Sequence, residues 1–349
     1  MLVCGRNYKL KPAATAVANW LKMDGIFIIH IPYRPPQALV PKSIKREFMS
    51  DWQSALRSES NHWSESPDAD TQLCALGEQS LLSVKGPDAV KFLQGQVTCD
   101  IAALSETDST LGAHCTHQGR MVSGFRAFLG NNEEVLLSLP SDIREPAQAA
   151  LAKYIVFSKA DLSALDREYG CLGLIGPSAR TVLKELFGNA PETVNSVLAF
   201  NDGWMICIAP EQYECWLDGA QIVKHWQALS AHCLPGDTND WHLASIRTGI
   251  PAIHESTLDT FIPQMLNLEL IGGVSFTKGC YTGQEIVART HYLGQNKRAM
   301  YRASCTTKGI INKGCSVSDL DNQEAELGAV ILSAKQDNNT QLLLVLKDQ

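Results

Sequence analysis

"GCLGLIGPSARTVLKELFG", residues 170–188, decides the fold class. A short apolar run bounded by glycine reads as a buried strand. Gly176-Pro177 breaks it, and the residues that follow read as a helix stopped by Gly188. "SVKGPDAVKFLQ", residues 83–94, repeats the order loosely: strand, Gly-Pro, helix. Pro87 and Asp88 suit a first helical turn, and Val90, Phe92, Leu93 and Val97 offer an apolar stripe. Two such units predict an α+β protein with two related halves. The spacing Gly170, Gly173, Gly176 is a weak match to a phosphate loop. It lacks G-x-G and a following Lys-Ser/Thr, so these glycines are read as structural.

Working outward, "LGAHCTHQGRMVSGFRAFLGNNEEVLLSLP" (111–140) predicts strands joined at Gln118-Gly119 and Asn131-Asn132. "SDIREPAQAALAKYIVF" (141–157) predicts a helix capped at Ser141 or Asp142. "GWMICIAPEQYECWLDG" (203–219) predicts a hairpin and "AQIVKHWQALSAHC" (220–233) a helix, with a boundary at Pro235-Gly236-Asp237. Residues 240–250 read as another strand or short helix. After Lys297 the chain is strand-rich, as in a small C-terminal barrel or sheet.

The 349 residues are 45% hydrophobic and 19% charged, an ordinary globular balance. No apolar run approaches the ~18 residues of a membrane span. Eleven cysteines include no C-x-x-C pair, which favours a reduced, cytoplasmic protein over a disulfide scaffold. Net charge is −7, with eight Lys or Arg against Asp24 and Glu47 in residues 1–48. The acidic remainder gives no broad nucleic-acid footprint. Residues 1–48 read as a poorly ordered or extraneous extension, with Met49 a more natural start.

One cysteine stands apart. In "FTKGCYTGQEIVAR" (276–289), Thr282-Gly283-Gln284-Glu285 fits the capping box T-x-x-E, with Glu285 and Arg289 paired one turn apart. Cys280 then lies just before a helix start that favours an anion, with the cation of Lys278 nearby. Gly279 and Gly283 leave the sulfur accessible, and Tyr281 completes the segment. The alternative is a buried cysteine beside a helix. His291, at the far end of the helix, is a poor catalytic partner, and His114, Cys115 and His117 offer too few ligands for zinc, so no metal site is read.

"GGVSFTKGCYTGQEIVARTHYLG" (272–294) resembles the K-G-C-[FY]-x-G-Q-E signature of the YgfZ family. "KFLQGQVTCD" (91–100), "GAHCTHQGRMVSGFRAF" (112–128), "KYIVFSKADL" (153–162), "TGIPAI" (248–253) and "FIPQMLNLELIGG" (261–273) also resemble it, in order. The resemblance implies a three-part, aminomethyltransferase-like ring with a ferredoxin-like middle domain and a small C-terminal β-barrel. The segments expected are 71–165 with 238–296, then 166–237, then 297–349. It implies a channel for tetrahydrofolate or a derivative, and a role in the assembly or repair of iron–sulfur enzymes, those that modify tRNA among them. The partners it implies are folate and iron–sulfur enzymes or cluster-assembly proteins, and with an acidic body direct tRNA binding is not expected. The signature cysteine maps to Cys280, and an aromatic lining the folate site maps to Trp241. A second tryptophan of some members falls at Gln79. The aspartate of the related glycine-cleavage T-protein falls at Ser123 or Gly124, and its pterin-gripping glutamate at Arg247, which suits an anionic glutamyl tail instead. Glycine-cleavage activity is therefore not expected. The alternatives are a folate-dependent aminomethyltransferase and a non-catalytic scaffold.

Overall fold

The computed structural model describes residues 2–3, 29–30, 51–59, 69–294, 296–307, 309–319 and 326–347. Apart from the two residue pairs 2–3 and 29–30, the expectation for residues 1–48 lies outside the described residues. In chain order the elements are β1 (Leu2–Val3), β2 (Ile29–His30), α1 (Asp51–Glu59), β3 (Gln72–Ala75), β4 (Gln79–Lys85), α2 (Ala89–Gln94), β5 (Ser109–Cys115), β6 (Met121–Leu129) and β7 (Glu134–Pro140). They continue with α3 (Arg144–Ile155), β8 (Asp161–Ala164), β9 (Tyr169–Ile175), α4 (Ala179–Phe187), β10 (Val197–Phe200), β11 (Gly203–Ala209), β12 (Gln212–Asp218), α5 (Ile222–Ser230) and β13 (Leu234–Pro235). Then come α6 (Thr238–Thr248), α7 (Gln284–Tyr292), β14 (Arg298–Thr306), β15 (Ser316–Asp319), β16 (Glu326–Gln336) and β17 (Asn339–Lys347). Mixed helices and sheets make this an α+β protein. Among the described residues no helix is long and apolar enough to cross a membrane.

The chain divides into two compact units. The first comprises Met1–Pro32, Ser80–Ala164 and His242–Gln349; the second comprises Tyr33–Gln79 and Leu165–Trp241.

The second unit is built on one sheet, ordered β10-β11-β12-β9-β3-β13. β3 pairs antiparallel with β9, although the sequence reading grouped it with the first segment. Strand alternation places Leu172 and Leu174 of β9 and Tyr213, Cys215 and Leu217 of β12 on one face. They join Leu183 of α4, Ile222, Trp226 and Leu229 of α5, and Trp52 of α1 in one core. α4 stops where Gly188 turns left-handed (φ 83°) and its N–H returns to Lys184 O. Gly170 and Gly173 are structural: a Cβ at Gly170 would lie 2.5 Å from Ile222 and 2.8 Å from Trp52, and one at Gly173 2.6 Å from Trp241.

The first unit holds a sheet ordered β5-β6-β7-β4-β8 and a second ordered β1-β14-β17-β16-β15-β2. β17 shows why the second stays attached. Its Leu343 and Val345 enter the main core with Phe92, Phe125, Leu137 and Ile246, while Leu342 and Leu344 face a small core of their own with Val317 and Val330. Two local expectations change. α2 is only six residues long, so Val97 lies beyond it and Val90 is exposed; Ala89, Phe92 and Leu93 are its buried face. α3 begins at Arg144 after a 3-10 turn over Ser141–Ile143, with no side-chain cap. Asp142 instead accepts from His254 Nδ1 at 3.1 Å and from the Glu255 amide at 3.3 Å.

Candidate functional site

The site is built on the turn and bend, residues 95–99, that follow α2. The backbone of Thr98 exchanges bonds with its neighbours: its N–H donates to Ala113 O, and its carbonyl accepts from Ser275 N, both at 2.9 Å. Its fully buried hydroxyl donates to Gly273 O at 2.6 Å and accepts from Ala113 N at 2.9 Å. Lys278 Nζ donates to the carbonyls of Val97 and Cys99, each at 2.7 Å. Thr282 returns to the same stretch, its N–H donating to Gly95 O (3.3 Å) and its hydroxyl to Gln96 Oε1 (3.2 Å). Loop 275–282 is thus fastened near both ends and at Lys278. A further bracket comes from α7: the His291 ring stacks on Phe276 with centroids 3.8 Å apart, and His291 Nδ1 donates to Glu269 Oε1 at 2.7 Å.

Between these fastenings lie Gly279 and Cys280. Cys280 is exposed, whereas Cys74, Cys99, Cys115, Cys171, Cys207, Cys215, Cys233 and Cys305 are buried and Cys315 is half-buried. Burial pushes the Cys99 and Cys115 thiols up to about 12, which leaves them unreactive at neutral pH. A Cβ at Gly279 would meet nothing within 4 Å, so this position faces open space. Gly283 is different. It is left-handed (φ 85°), and a Cβ there would sit 2.5 Å from Thr116 O. The loop therefore returns to the protein surface only through glycine.

One sequence expectation is corrected here. The T-x-x-E capping box does not form: α7 starts at Gln284 with Gly283 as its cap residue and no side-chain cap, because the Thr282 hydroxyl is spent on Gln96. Gln284 Oε1 instead accepts from the Tyr281 amide at 3.3 Å. Lys278, expected as a cation near the thiol, is buried. It is only 8% exposed, and burial lowers its ammonium from 10.5 to about 8 despite support from Cys99 and Asp100. Tyr281 is buried with its hydroxyl unpartnered, and burial raises the phenol well above its usual range. The Glu285–Arg289 pair forms as expected, at 2.7 Å on an exposed surface.

Trp241 and Arg247 both lie on α6, six positions apart and so on different helix faces. Trp241 is buried, its ring edge against Gly173; Arg247 is exposed. Ser123 is buried opposite His114 in the β5–β6 register, so no carboxylate stands at the position that the T-protein resemblance assigns to its aspartate. His114 itself went unremarked as a core residue. It is 2% exposed with neither ring nitrogen hydrogen-bonded. No signal in the sequence separates it from a surface histidine. The Phe276–His291–Glu269 bracket was also missed, because it joins residues 15 and 22 positions apart.

The GCVT N-terminal domain family matches residues 33–217. The tRNA-modifying protein YgfZ of Colwellia psychrerythraea is 36% identical over 235 residues, 66% of this chain and 71% of the relative. The protein of the same name from Klebsiella pneumoniae is 32% identical over 274 residues, 78% of this chain and 83% of the relative. Among solved structures, the glycine cleavage system aminomethyltransferase T of Bartonella henselae has a TM-score of 0.63 at 16% identity, over 80% of this chain and 79% of that one. That likeness establishes the fold alone.

Proposed function

Because the chain belongs to the YgfZ family, we propose that it is a folate-binding factor that supports assembly or repair of iron–sulfur enzymes, those that modify tRNA among them, with Cys280 as its working thiol. The observation that carries this reading is the exposure of Cys280 on a fastened loop while eight other cysteines are buried. A thiol set in open space suits contact with a group carried by another macromolecule, which an enclosed pocket would exclude. As thiolate it is a nucleophile and a soft ligand for iron or sulfane sulfur. Ten free cysteines among the described residues suit a reducing, cytoplasmic setting.

Folate enters with a narrower role. Trp241 gives its ring to the core, and Arg247 offers only donors, so these two residues do not make a pterin grip. The exposed Arg247 guanidinium fits the carboxylates of a glutamyl tail. Arg247→Ala is expected to weaken binding of a polyglutamylated reduced folate more than that of its monoglutamate, in a calorimetric titration. Equal losses for the two ligands remove the tail assignment.

Complementation of a strain lacking the protein tests the main proposal. Cys280→Ala is expected to restore neither tRNA methylthiolation nor the activity of an iron–sulfur dehydrogenase. Full restoration of both assigns the chain to a scaffold role in which the thiol is idle. The aminomethyltransferase reading draws on the fold, and tetrahydrofolate-dependent ammonia release from an aminomethyl donor decides it. None is expected with Ser123 and Gly124 where that chemistry needs a carboxylate.

A further inference from the structure

We infer that Lys278 is a positioning residue: its buried ammonium, spanning the carbonyls of Val97 and Cys99, holds Gly279–Cys280 out in solvent and acts through the shape of the loop, with its charge playing no part at the thiol. This rests on Cys280 being the working thiol, and it replaces the expectation that Lys278 activates the sulfur.

Three successive carbonyls form the platform. Those of Val97, Thr98 and Cys99 all accept bonds from segment 275–278, and none of the three is spent on regular secondary structure. The segment turns at Gly95–Gln96 and bends at Thr98–Cys99, and both carbonyls come within reach of the same Nζ. One ammonium can therefore reach both, since its three donors turn freely about the end of a flexible stem. The geometry matches, with two bonds of 2.7 Å. The Nζ also sits 5.3 Å from the centroid of the Tyr281 ring, so the side chain grips the residue beyond Cys280 as well as the platform beneath it. Lys278 and Tyr281 are both buried and flank two residues that are exposed. The chain is pinned before and after Gly279–Cys280, and these two residues have nowhere to go but outward. An arginine fork is too broad and too rigid to take the place of this point donor. The lowering of the ammonium to about 8 fits a cation confined by the fold, whereas a cation serving an exposed sulfur would keep its hydration.

Lys278→Met keeps the length of the stem and removes the donors. In wild type and variant, amide exchange over residues 276–282 and the pH profile of Cys280 alkylation are measured on the full chain. Exchange is expected to speed up at least about tenfold in the variant, with the alkylation midpoint unmoved within about 0.3 pH unit. Thr98→Val provides an independent route where Lys278→Met folds poorly. It loosens the same platform by removing the hydroxyl bonds to Gly273 and Ala113, and it leaves the lysine charge in place. It is expected to speed exchange over the same residues and leave the midpoint unmoved. A midpoint that rises by more than about 0.5 unit in Lys278→Met, with exchange unchanged, overturns the inference in favour of electrostatic activation. Unchanged exchange together with an unchanged midpoint overturns it as well. Neither readout depends on biological activity, so a failure of the Cys280 proposal in complementation is distinguishable from a failure of this one.

Discussion

The two strand–Gly-Pro–helix units, β4–α2 and β9–α4, begin alike and end differently. Gly86 and Gly176 hold the same backbone, with φ of 133° and 145°. Each carbonyl accepts from the residue three further on, Ala89 at 2.9 Å and Ala179 at 3.1 Å. Each glycine passes close under another strand of backbone: a Cβ would lie 2.6 Å from Lys159 O at Gly86 and 2.3 Å from Asp70 O at Gly176. An aspartate braces each turn, Asp88 accepting from Lys159 N and Asp70 from the Ser178 amide and hydroxyl. The helices then diverge. α4 stops at a left-handed glycine. α2 ends at Gly95, which stays right-handed (φ −84°), and the chain runs on into residues 96–99, the platform under the Cys280 loop. One local solution is used twice, and only the first copy runs on into the platform to which the Cys280 loop is fastened.

The equivalence of the two turns breaks first if their glycines are unequal. Gly86→Val and Gly176→Val are each expected to cost at least about 3 kcal/mol in urea unfolding, since positive φ and a backbone clash act together. A cost below about 1 kcal/mol at either position ends the comparison.

Buried bases sharpen it next. His114 bridges to Val97 in the platform segment. Burial, with help from Lys153, lowers its imidazole from 6.5 to about 4. Below pH 6.5 the unfolded chain takes up a proton that the folded chain refuses until about pH 4, so stability falls across that window. The loss is on the order of 3 kcal/mol at most, and His114→Phe is expected to flatten that part of the stability–pH curve. Lys278 gives the same sign in another window: stability rises from pH 8 to 10.5 as the unfolded chain keeps a proton the folded chain has lost. Lys278→Met is expected to lack that rise.

Thr98→Val, which leaves a buried carbonyl and amide unpaired on the platform, is expected to cost about 1–3 kcal/mol. The smallest effect is expected from Arg289→Ala. Its pair with Glu285 is exposed, and its loss is expected to change stability by less than about 0.5 kcal/mol.

The repeated unit was legible because Gly, Pro and a helix-stopping Gly act over a few residues. The hairpin turns at Gly119 (φ 71°) and Asn132 (φ 57°) were legible for the same reason. The site was legible in part. Cys280 stood out by its glycine neighbours, but the role of Lys278 did not, because its acceptors lie 181 and 179 residues away. Thr282 misled in the same way. A local motif promised its hydroxyl to the helix, and a distant glutamine took it. Trp241 reads as a stacking surface or a core residue from sequence alone, and only the closeness of Gly173 places its ring in the core.

Timed alkylation of the native chain at neutral pH, with each cysteine followed by mass spectrometry, tests the central claim. Cys280 is expected to label to completion before any of the eight buried thiols reacts, with Cys99 and Cys115 labelling only after unfolding. Labelling of Cys280 at the pace of Cys99 or Cys115 in the folded protein would mean that the loop does not present its sulfur to solvent, and the account of the site would fall with it.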